Sequence, residues 1–537
     1  MKLSSYIQTY EVEPGIIGAY SPFDHAFTFL PTSQWSALEH GELQHVPEGV
    51  LDDLVRRKFL VGDDFERHVL DHHRPPEEGI REMWLVLVQG CNMTCQYCVV
   101  EGNVESAERR VIGGGAASHG GSQREAAPTA GKVSLPVLGQ SSAHDGSAAP
   151  QGEHEDMMSP EVAAAAVEKF AAYLQDTRPP FPRVTLYGGE PLLNPRTIRH
   201  VVPLIRAISF PGQLRPDPVQ ILLITNGQIY TESMQELFIK YRVTVSVSLD
   251  GMKHHHDAVR VTSDGSGTWD KAVESLKRYQ DAGIQTGICT TIGTHNVDDL
   301  PDIADYFAET FGTCVEFQVP FDIPFNGRNK FYMNMADAAP KALEAFRRLR
   351  ARGMLEGLAA RRLIQIARGQ FHHRDCSAVG GQMVVAPDGM MGPCHSLVGE
   401  RRFFAGSVQD SESHPHRMSA FQEWSRRVPV NMPDCHGCPA IGICGGGCPY
   451  NALINRGSIW AKDPQQCQYM YYTLDWLIAD TWERYKATNL NRAPQTFAAP
   501  PLRDEPPHRK GQKFAQREAQ ASTVAPNRPE HESTAIL

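Results

Sequence analysis

Cys91, Cys95 and Cys98 stand in the stretch Val88-Gln89-Gly90-Cys91-Asn92-Met93-Thr94-Cys95-Gln96-Tyr97-Cys98, directly after an apolar run at 84–88. This CxxxCxxC spacing constrains the fold more than any other feature of the chain. Three thiolates on one short loop suit three irons of a cubane iron–sulfur cluster, because soft sulfur ligands favour that metal. The fourth iron is then left without a protein ligand and open to a substrate. Zinc is the competing reading, but it usually takes four ligands and no partner CxxC pair lies nearby. A disulfide network cannot pair three cysteines, and nothing marks the chain as secreted.

The chain has 537 residues, enough for about three domains. A net charge of −10 and a pI near 6.1 argue against nucleic acid or an anionic membrane as the main partner. No apolar signal region opens the chain and no run is long enough to span a bilayer, so a cytoplasmic protein with reduced cysteines is expected.

Strand patterns rich in Val, Ile and Leu fall at 84–88, 184–187, 221–225, 244–249, 286–292 and 314–319. Helical patterns lie between them near 160–175, 196–207, 231–241, 269–283 and 298–311. Ser159-Pro160-Glu161 opens the first helix with an N-cap and a proline at the first helical position. Six βα units predict a parallel α/β sheet with right-handed crossovers, an open or partial (β/α)6 barrel with chemistry at the strand carboxyl ends. Residues 1–82 predict a small α+β module, with a strand at 27–30, helices near 33–39 and 49–57, and a last apolar run at 58–61. Residues 102–156 and a tail over 483–537 predict disorder from their Gly, Ser, Ala and Pro content.

Tyr187-Gly188-Gly189-Glu190-Pro191 ends the second strand. Taken alone it reads as a turn whose glycines let backbone approach a ligand and whose carboxylate takes an ammonium. Thr225-Asn226-Gly227 and Ser248-Leu249-Asp250-Gly251 end the third and fourth strands, and His256-Asp257 and Arg260 follow. With Tyr97 before the last cysteine of the loop, this series resembles the radical S-adenosylmethionine (SAM) superfamily. The resemblance implies a [4Fe–4S] cluster on Cys91, Cys95 and Cys98, and a SAM site built from Tyr97, Gly188, Gly189, Glu190, Pro191, Thr225, Asn226, Ser248, Asp250 and Arg260. It also implies the reaction. SAM chelates the open iron, one electron breaks its sulfonium C–S bond, and a 5′-deoxyadenosyl radical takes hydrogen from a substrate. The bland readings are a solvated salt bridge for Arg260 and an exposed turn, rather than a metal site, for His254 and His255.

Seven further cysteines lie between 376 and 467. Cys435, Cys438, Cys444 and Cys448 form CxxCxxxxxCxxxC, with Cys376 and Cys394 before them and Cys467 after. The pattern resembles the SPASM domain of the same superfamily, placed here at 373–482 beyond connecting helices at 331–372. The resemblance implies two auxiliary [4Fe–4S] clusters, three clusters in all. Cys376, Cys394 and Cys448 would hold the first, and Cys435, Cys438, Cys444 and Cys467 the second. The first is one ligand short, so its fourth iron is open or is held by His372, His373 or Asp375.

His395 follows Cys394, where sulfatase maturases of this class carry an aspartate, and reads as a proton carrier or as a hydrogen-bond partner of the cluster. Cys314, Glu316 and Gln318 share one strand face, and Glu316 and Gln318 contact substrate if that face lines the barrel. Cys289 and Cys314 otherwise read as packing. The resemblance thus implies a maturase that crosslinks a ribosomally made precursor peptide, with residues 1–82 in the place of a leader-binding module and a flavodoxin or ferredoxin as electron donor. Formylglycine formation in a sulfatase is the second reading, and a multi-cluster electron carrier or scaffold the third.

Overall fold

In a computed structural model the chain is described over residues 1–75, 79–98, 157–209, 219–318 and 331–489. The expected insertion at 102–156 lies outside these residues. After β1 (Lys2–Leu3), three antiparallel strands form a small sheet: β2 (Gln8–Glu13), β3 (Ile16–Ser21) and β4 (Ala26–Pro31). Helices α1 (Thr32–Glu39) and α2 (Glu48–Arg56) follow, then β5 (Leu60–Val61) against β1, then α3 (Phe65–His72). The sequence reading foresaw β4 and the first two helices but not the β2–β3 hairpin. That hairpin turns at Gly15, held at φ 85°, and β2 has no fully buried residue, so its apolar alternation is faint.

The central sheet then builds by strict alternation. Its strands are β6 (Glu82–Val88), β7 (Arg183–Gly188), β8 (Gln220–Thr225), β9 (Val243–Ser248), β10 (Thr286–Thr291) and β11 (Cys314–Gln318), each parallel to the next. Between them run α4 (Pro160–Thr177), α5 (Pro195–Ala207), α6 (Glu232–Tyr241), α7 (Lys253–Asp257), α8 (Trp269–Asp281) and α9 (Leu300–Thr310). Ser159 caps α4 as its sequence signals, its hydroxyl accepting from Val162 N at 3.2 Å. In β9, Val243, Val245 and Val247 are buried in the main core, while Thr244, Ser246 and Ser248 point to the face turned from it. That second face, the inner face, carries the chemistry described below.

Helices α10 (Met335–Ala351) and α11 (Gly357–Arg368) lead to a segment that does not stand apart as expected. Strand β12 (Gln382–Val385) pairs parallel with β6, and β13 (Met390–Gly392) and β14 (Ala405–Ser407) extend the sheet antiparallel, giving nine strands in the order β11-β10-β9-β8-β7-β6-β12-β13-β14. The cysteine-rich region is therefore grafted onto the first barrel strand. It continues through α12 (Ser419–Ser425), α13 (Ile441–Cys444), α14 (Pro449–Arg456) and α15 (Pro464–Asn489).

Helix α15 corrects the boundary at 483, because it runs on to Asn489. The cause is burial. Trp482 is 4% exposed and lies 4.9 Å from Phe29 of β4, ring centre to ring centre. Gln8 donates to Asp475 at 2.8 Å, and Ile478 fills the space over Gly18. No helix among the described residues is long and apolar enough to cross a membrane. A Cβ at Gly18 would overlap Ile478 Cγ2 and stand 3.0 Å from the Phe29 ring. Gly18→Ala is therefore expected to destabilise the fold by about 1–3 kcal/mol, read as a lower denaturant midpoint, whereas an unchanged midpoint would mean the module is not docked on α15.

Candidate functional site

The cysteine loop leaves β6 and returns along the segment that carries Arg260. Thr94 N donates to Val261 O at 2.8 Å and Gln96 N to Val259 O at 3.2 Å. Within the loop the three thiols lie close enough to disturb one another. Burial raises the Cys91 thiol, and the neighbouring Cys95, Glu190 and Cys98 raise it further. Three thiols gathered in a half-buried loop, where thiolates would repel one another, are a donor set for a thiophilic cation that would hold them deprotonated. Asn226 adds a side-chain amide, donating to Cys91 Sγ at 3.7 Å and to Asn92 Oδ1 at 2.8 Å.

The two glycines of the second strand end are fixed by close approach. A Cβ on Gly188 would overlap Val88 O, and one on Gly189 would overlap Gly90 O and stand 2.6 Å from Gly90 C. The strand end thus packs backbone on backbone against the residue before Cys91, a glycine cradle beneath the cysteine loop.

Glu190 departs from its expected part. It is fully buried and spends its carboxylate inside the protein, accepting from Leu192 N at 3.0 Å, Thr225 Oγ1 at 2.9 Å and Asn226 N at 2.7 Å. Burial pushes it up to about 7 against those three donors. Glu190 and Thr225 therefore tie the second and third strand ends together. Pro191, also buried, starts the 3₁₀ turn that Glu190 caps.

Asp250 is likewise sealed in. Its Oδ2 accepts from Arg260 Nε at 2.9 Å and from the Tyr97 hydroxyl, and its Oδ1 accepts from Thr291 N at 3.0 Å. Burial works to raise it, but Arg260 and then His295 hold the carboxyl well below the usual range. The Arg260 guanidinium lies over the Tyr97 ring at 5.3 Å. Its Nε is committed, and among the described residues no protein acceptor is seen for its terminal nitrogens. His256 and Asp257 brace this loop from behind, through Thr268 Oγ1 at 3.0 Å and the backbone of Thr268 and Trp269. The exposed-turn reading fails for His255, which is 3% exposed.

On the inner face, register sets Ser248 beside Cys289 and Cys289 beside Glu316. Cys289 belongs to this polar row rather than to the packing core. Burial pushes its thiol up to about 12, with Glu316 adding to the effect. Gln318, beside Thr291, shares the face, and Glu316 is exposed upon it. Two residues that sequence reasoning passed over complete the wall. Trp84 of β6 stacks on His395 at 4.4 Å and 6° between planes, and Tyr187 of β7 meets the same ring edge-on at 5.1 Å. Both had read as apolar strand positions; only the aromatic step before Gly188-Gly189 hinted at them. Burial pushes His395 down to about 4, so the ring is neutral at neutral pH and a poor base.

The second cysteine set separates into two groups. Cys376, Cys394 and Cys448 pack in one apolar cluster with Trp84 and Tyr187. Burial raises Cys448, and Asp463, Cys376 and Cys394 raise it further. Cys435, pushed up to about 12 by burial, then feels Cys438 and Cys467, and Cys444 feels Cys467 and Cys438. The backbone links the groups where Asp375 N donates to Gly445 O at 3.1 Å and His372 N to Gly442 O at 2.7 Å, and Asp463 links them again by accepting from Cys448 N and Cys467 N, each at 3.0 Å. A side chain on Gly445 would overlap Asp375 N. Of the candidate fourth ligands, Asp375 is taken, since Arg362 Nη2 holds its Oδ1 at 2.6 Å. His373 keeps a buried ring nitrogen without a hydrogen-bond partner, whereas His372 Nε2 faces Asp375 Oδ1 at 3.8 Å.

A cysteine loop and a glycine cradle at the carboxyl ends of parallel strands define an α/β enzyme built around a thiolate-held metal group. Residues 85–307 match the family described as Radical SAM superfamily, and the chain carries a domain of that superfamily, which uses a [4Fe–4S] cluster and SAM. It is 21% identical over 499 residues to a radical SAM cyclopropyl synthase, TigE, of Paramaledivibacter caminithermalis, covering 87% of this chain and 93% of that protein. It is 24% identical over 152 residues to a serine-type anaerobic sulfatase-maturating enzyme of Bacteroides thetaiotaomicron, 28% of this chain and 36% of the relative. A solved structure of anSMEcpe with bound AdoMet shares the fold at a TM-score of 0.55 and 16% identity, over 75% of this chain and 98% of that one. Gly189→Ala is expected to lower the iron retained by the cysteine loop and to weaken SAM binding at least tenfold, about 1.4 kcal/mol, in equilibrium dialysis, because the added Cβ would displace Gly90 beside Cys91. Undiminished binding would place the SAM cradle elsewhere.

Proposed function

We propose that this enzyme is a peptide maturase that installs an oxidative crosslink, or a related side-chain modification, in a ribosomally made precursor peptide. One observation carries the reading. The first strand of the sheet, through Trp84, touches His395, the neighbour of Cys394, while the adjoining strand carries Tyr187 next to the glycine cradle. Substrate space on the inner face is thus bounded by both cysteine sets. A crosslink that removes two hydrogens needs somewhere for an electron to go, and a second metal group across the substrate from the first answers that need.

In this reading Cys91, Cys95 and Cys98 hold the radical-generating cluster. Cys376, Cys394 and Cys448 hold a first auxiliary [4Fe–4S] cluster, and Cys435, Cys438, Cys444 and Cys467 a second. When bound, the cluster and SAM supply one-electron cleavage of a sulfonium and hydrogen-atom abstraction. The chain's own residues bind, orient and exclude water. Gly188 and Gly189 offer backbone to the amino-acid part of SAM, Arg260 turns its terminal nitrogens to the carboxylate, and Asn226 and Ser248 offer polar atoms to the rest. Glu190 and Asp250 hold those groups in place. Tyr187, Cys289, Glu316 and Gln318 line the peptide's side, and His395 is a neutral wall against the auxiliary group.

A peptide substrate is supported by a protein of the same fold: anSMEcpe has been solved with a peptide, Kp18Cys, beside AdoMet. The N-terminal module, three antiparallel strands followed by helices, is proposed to receive the leader of that peptide. A flavodoxin or ferredoxin is the proposed electron donor. All twelve cysteines are free, which agrees with the proposed cytoplasmic setting. The sulfatase reading is weaker, because the place after Cys394 that holds an aspartate in sulfatase maturases is here His395, stacked on Trp84.

Anaerobic co-expression with short peptides encoded beside the gene, followed by mass spectrometry, tests the proposal. Loss of two hydrogens per event is expected, and fragmentation will locate the bond. Unmodified peptides despite SAM cleavage, together with formylglycine in a co-expressed sulfatase, would favour the second reading. Tyr187→Phe is expected to keep iron content and SAM binding but to cleave several SAM molecules per peptide product, because the phenol that orients the peptide is gone. An unchanged ratio of 5′-deoxyadenosine to product would remove Tyr187 from that role.

A further inference from the structure

His254, His255 and Asp299 lie beside the SAM site but take no part in it. We propose that these three side chains form a binding site for a divalent cation of the zinc class, one that clips together the two segments flanking Asp250. Their ligand atoms all lie within 4.8 Å of one another. His255 Nε2 stands 2.9 Å from Asp299 Oδ2, and the His254 and His255 ring centres are 3.8 Å apart. Two imidazoles and a carboxylate match zinc's preferred donors, and a three-ligand set leaves the fourth position to water.

Burial makes the arrangement more than a surface ion pair. His255 is 3% exposed, and its Nδ1 is buried without a hydrogen-bond partner, close to Gly251. Packing therefore fixes the ring with Nε2 turned to Asp299. His254 and Asp299 are exposed and complete the site from the solvent side.

The two segments joined are the ones that shape Asp250. Helix α7, carrying both histidines, leads from Gly251 to Arg260. Asp299 lies three residues after Asn296, whose Nδ2 donates to Asp250 O at 3.0 Å and Thr291 O at 2.9 Å. A cation here stiffens the loop that presents Arg260 without touching the reacting centre, so metal occupancy is coupled to the order of the SAM pocket.

The test uses cluster-loaded protein and zinc alone. Wild type, His254→Ala and Asp299→Asn are titrated with zinc against a chromophoric chelator, with iron measured before and after. Wild type should take up one zinc per chain more than either variant, or hold it more than about tenfold tighter, as loss of a ligand demands. Zinc taken by cysteines is common to all three proteins and cancels in the comparison. Zinc should also slow amide exchange across 252–260 in wild type and leave it unchanged in His254→Ala, whose exposed position spares the fold. Equal uptake in wild type and His254→Ala, or no uptake in either, overturns the site.

Discussion

A carboxylate sealed from water holds the working end of this molecule together. Asp250 gathers the Arg260 guanidinium, the Tyr97 hydroxyl and the Thr291 backbone, so the fourth and fifth strand ends, the cysteine loop and the Arg260 loop share one buried charge. Removing one partner of such a pair costs about 3–5 kcal/mol, because the other is left charged and unmatched in the interior. Loop geometry around the cysteines is therefore inseparable from the stability of the sheet beneath it. Glu190 repeats the device one strand over, with three donors on one buried carboxylate.

Much of the sheet was legible before any coordinates. Short β-branched runs bounded by Gly, Pro and Asn gave the six strands within a residue or two, and Ser159-Pro160 marked its helix because capping is local chemistry. The cysteine spacings were equally plain. What stayed hidden depended on distant partners. Strand β12 looks like part of a separate domain until it pairs with β6, since ladder pairing leaves no local mark. Glu190 and Asp250 read correctly as acids at strand ends, but a carboxylate facing a ligand and one facing its own backbone look alike in sequence. His255 read as exposed because it sits in a polar triplet, yet the turn before α9 covers it. Trp84 and Tyr187 passed for core residues because nothing in an apolar run tells one face of a sheet from the other.

Grafting the second cysteine set onto β6 has an effect on precision. A domain held by a linker explores a range of positions, whereas one that shares a hydrogen-bonded ladder with the first catalytic strand moves only with it. The ladder runs Gln382↔Glu82 to Val385↔Leu85, three to six residues ahead of Val88, where the cysteine loop departs. The separation between the two cysteine sets is thereby set by strand register rather than by docking, which suits chemistry that must pass from one side of a substrate to the other.

The contact between the N-terminal module and α15 bears on how the chain is made. Gln8 and Asp475, 467 positions apart, meet in the folded protein, and Gly18 is shaped to receive Ile478. On the ribosome the first strands emerge long before the helix that covers them, so Phe29 and its neighbours stay uncovered until α15 has been made. Contacts of such separation form slowly, and apolar surface left waiting invites chaperones. An enzyme proposed to act on ribosomally made peptides would itself begin as a client of the machinery that guards unfinished chains.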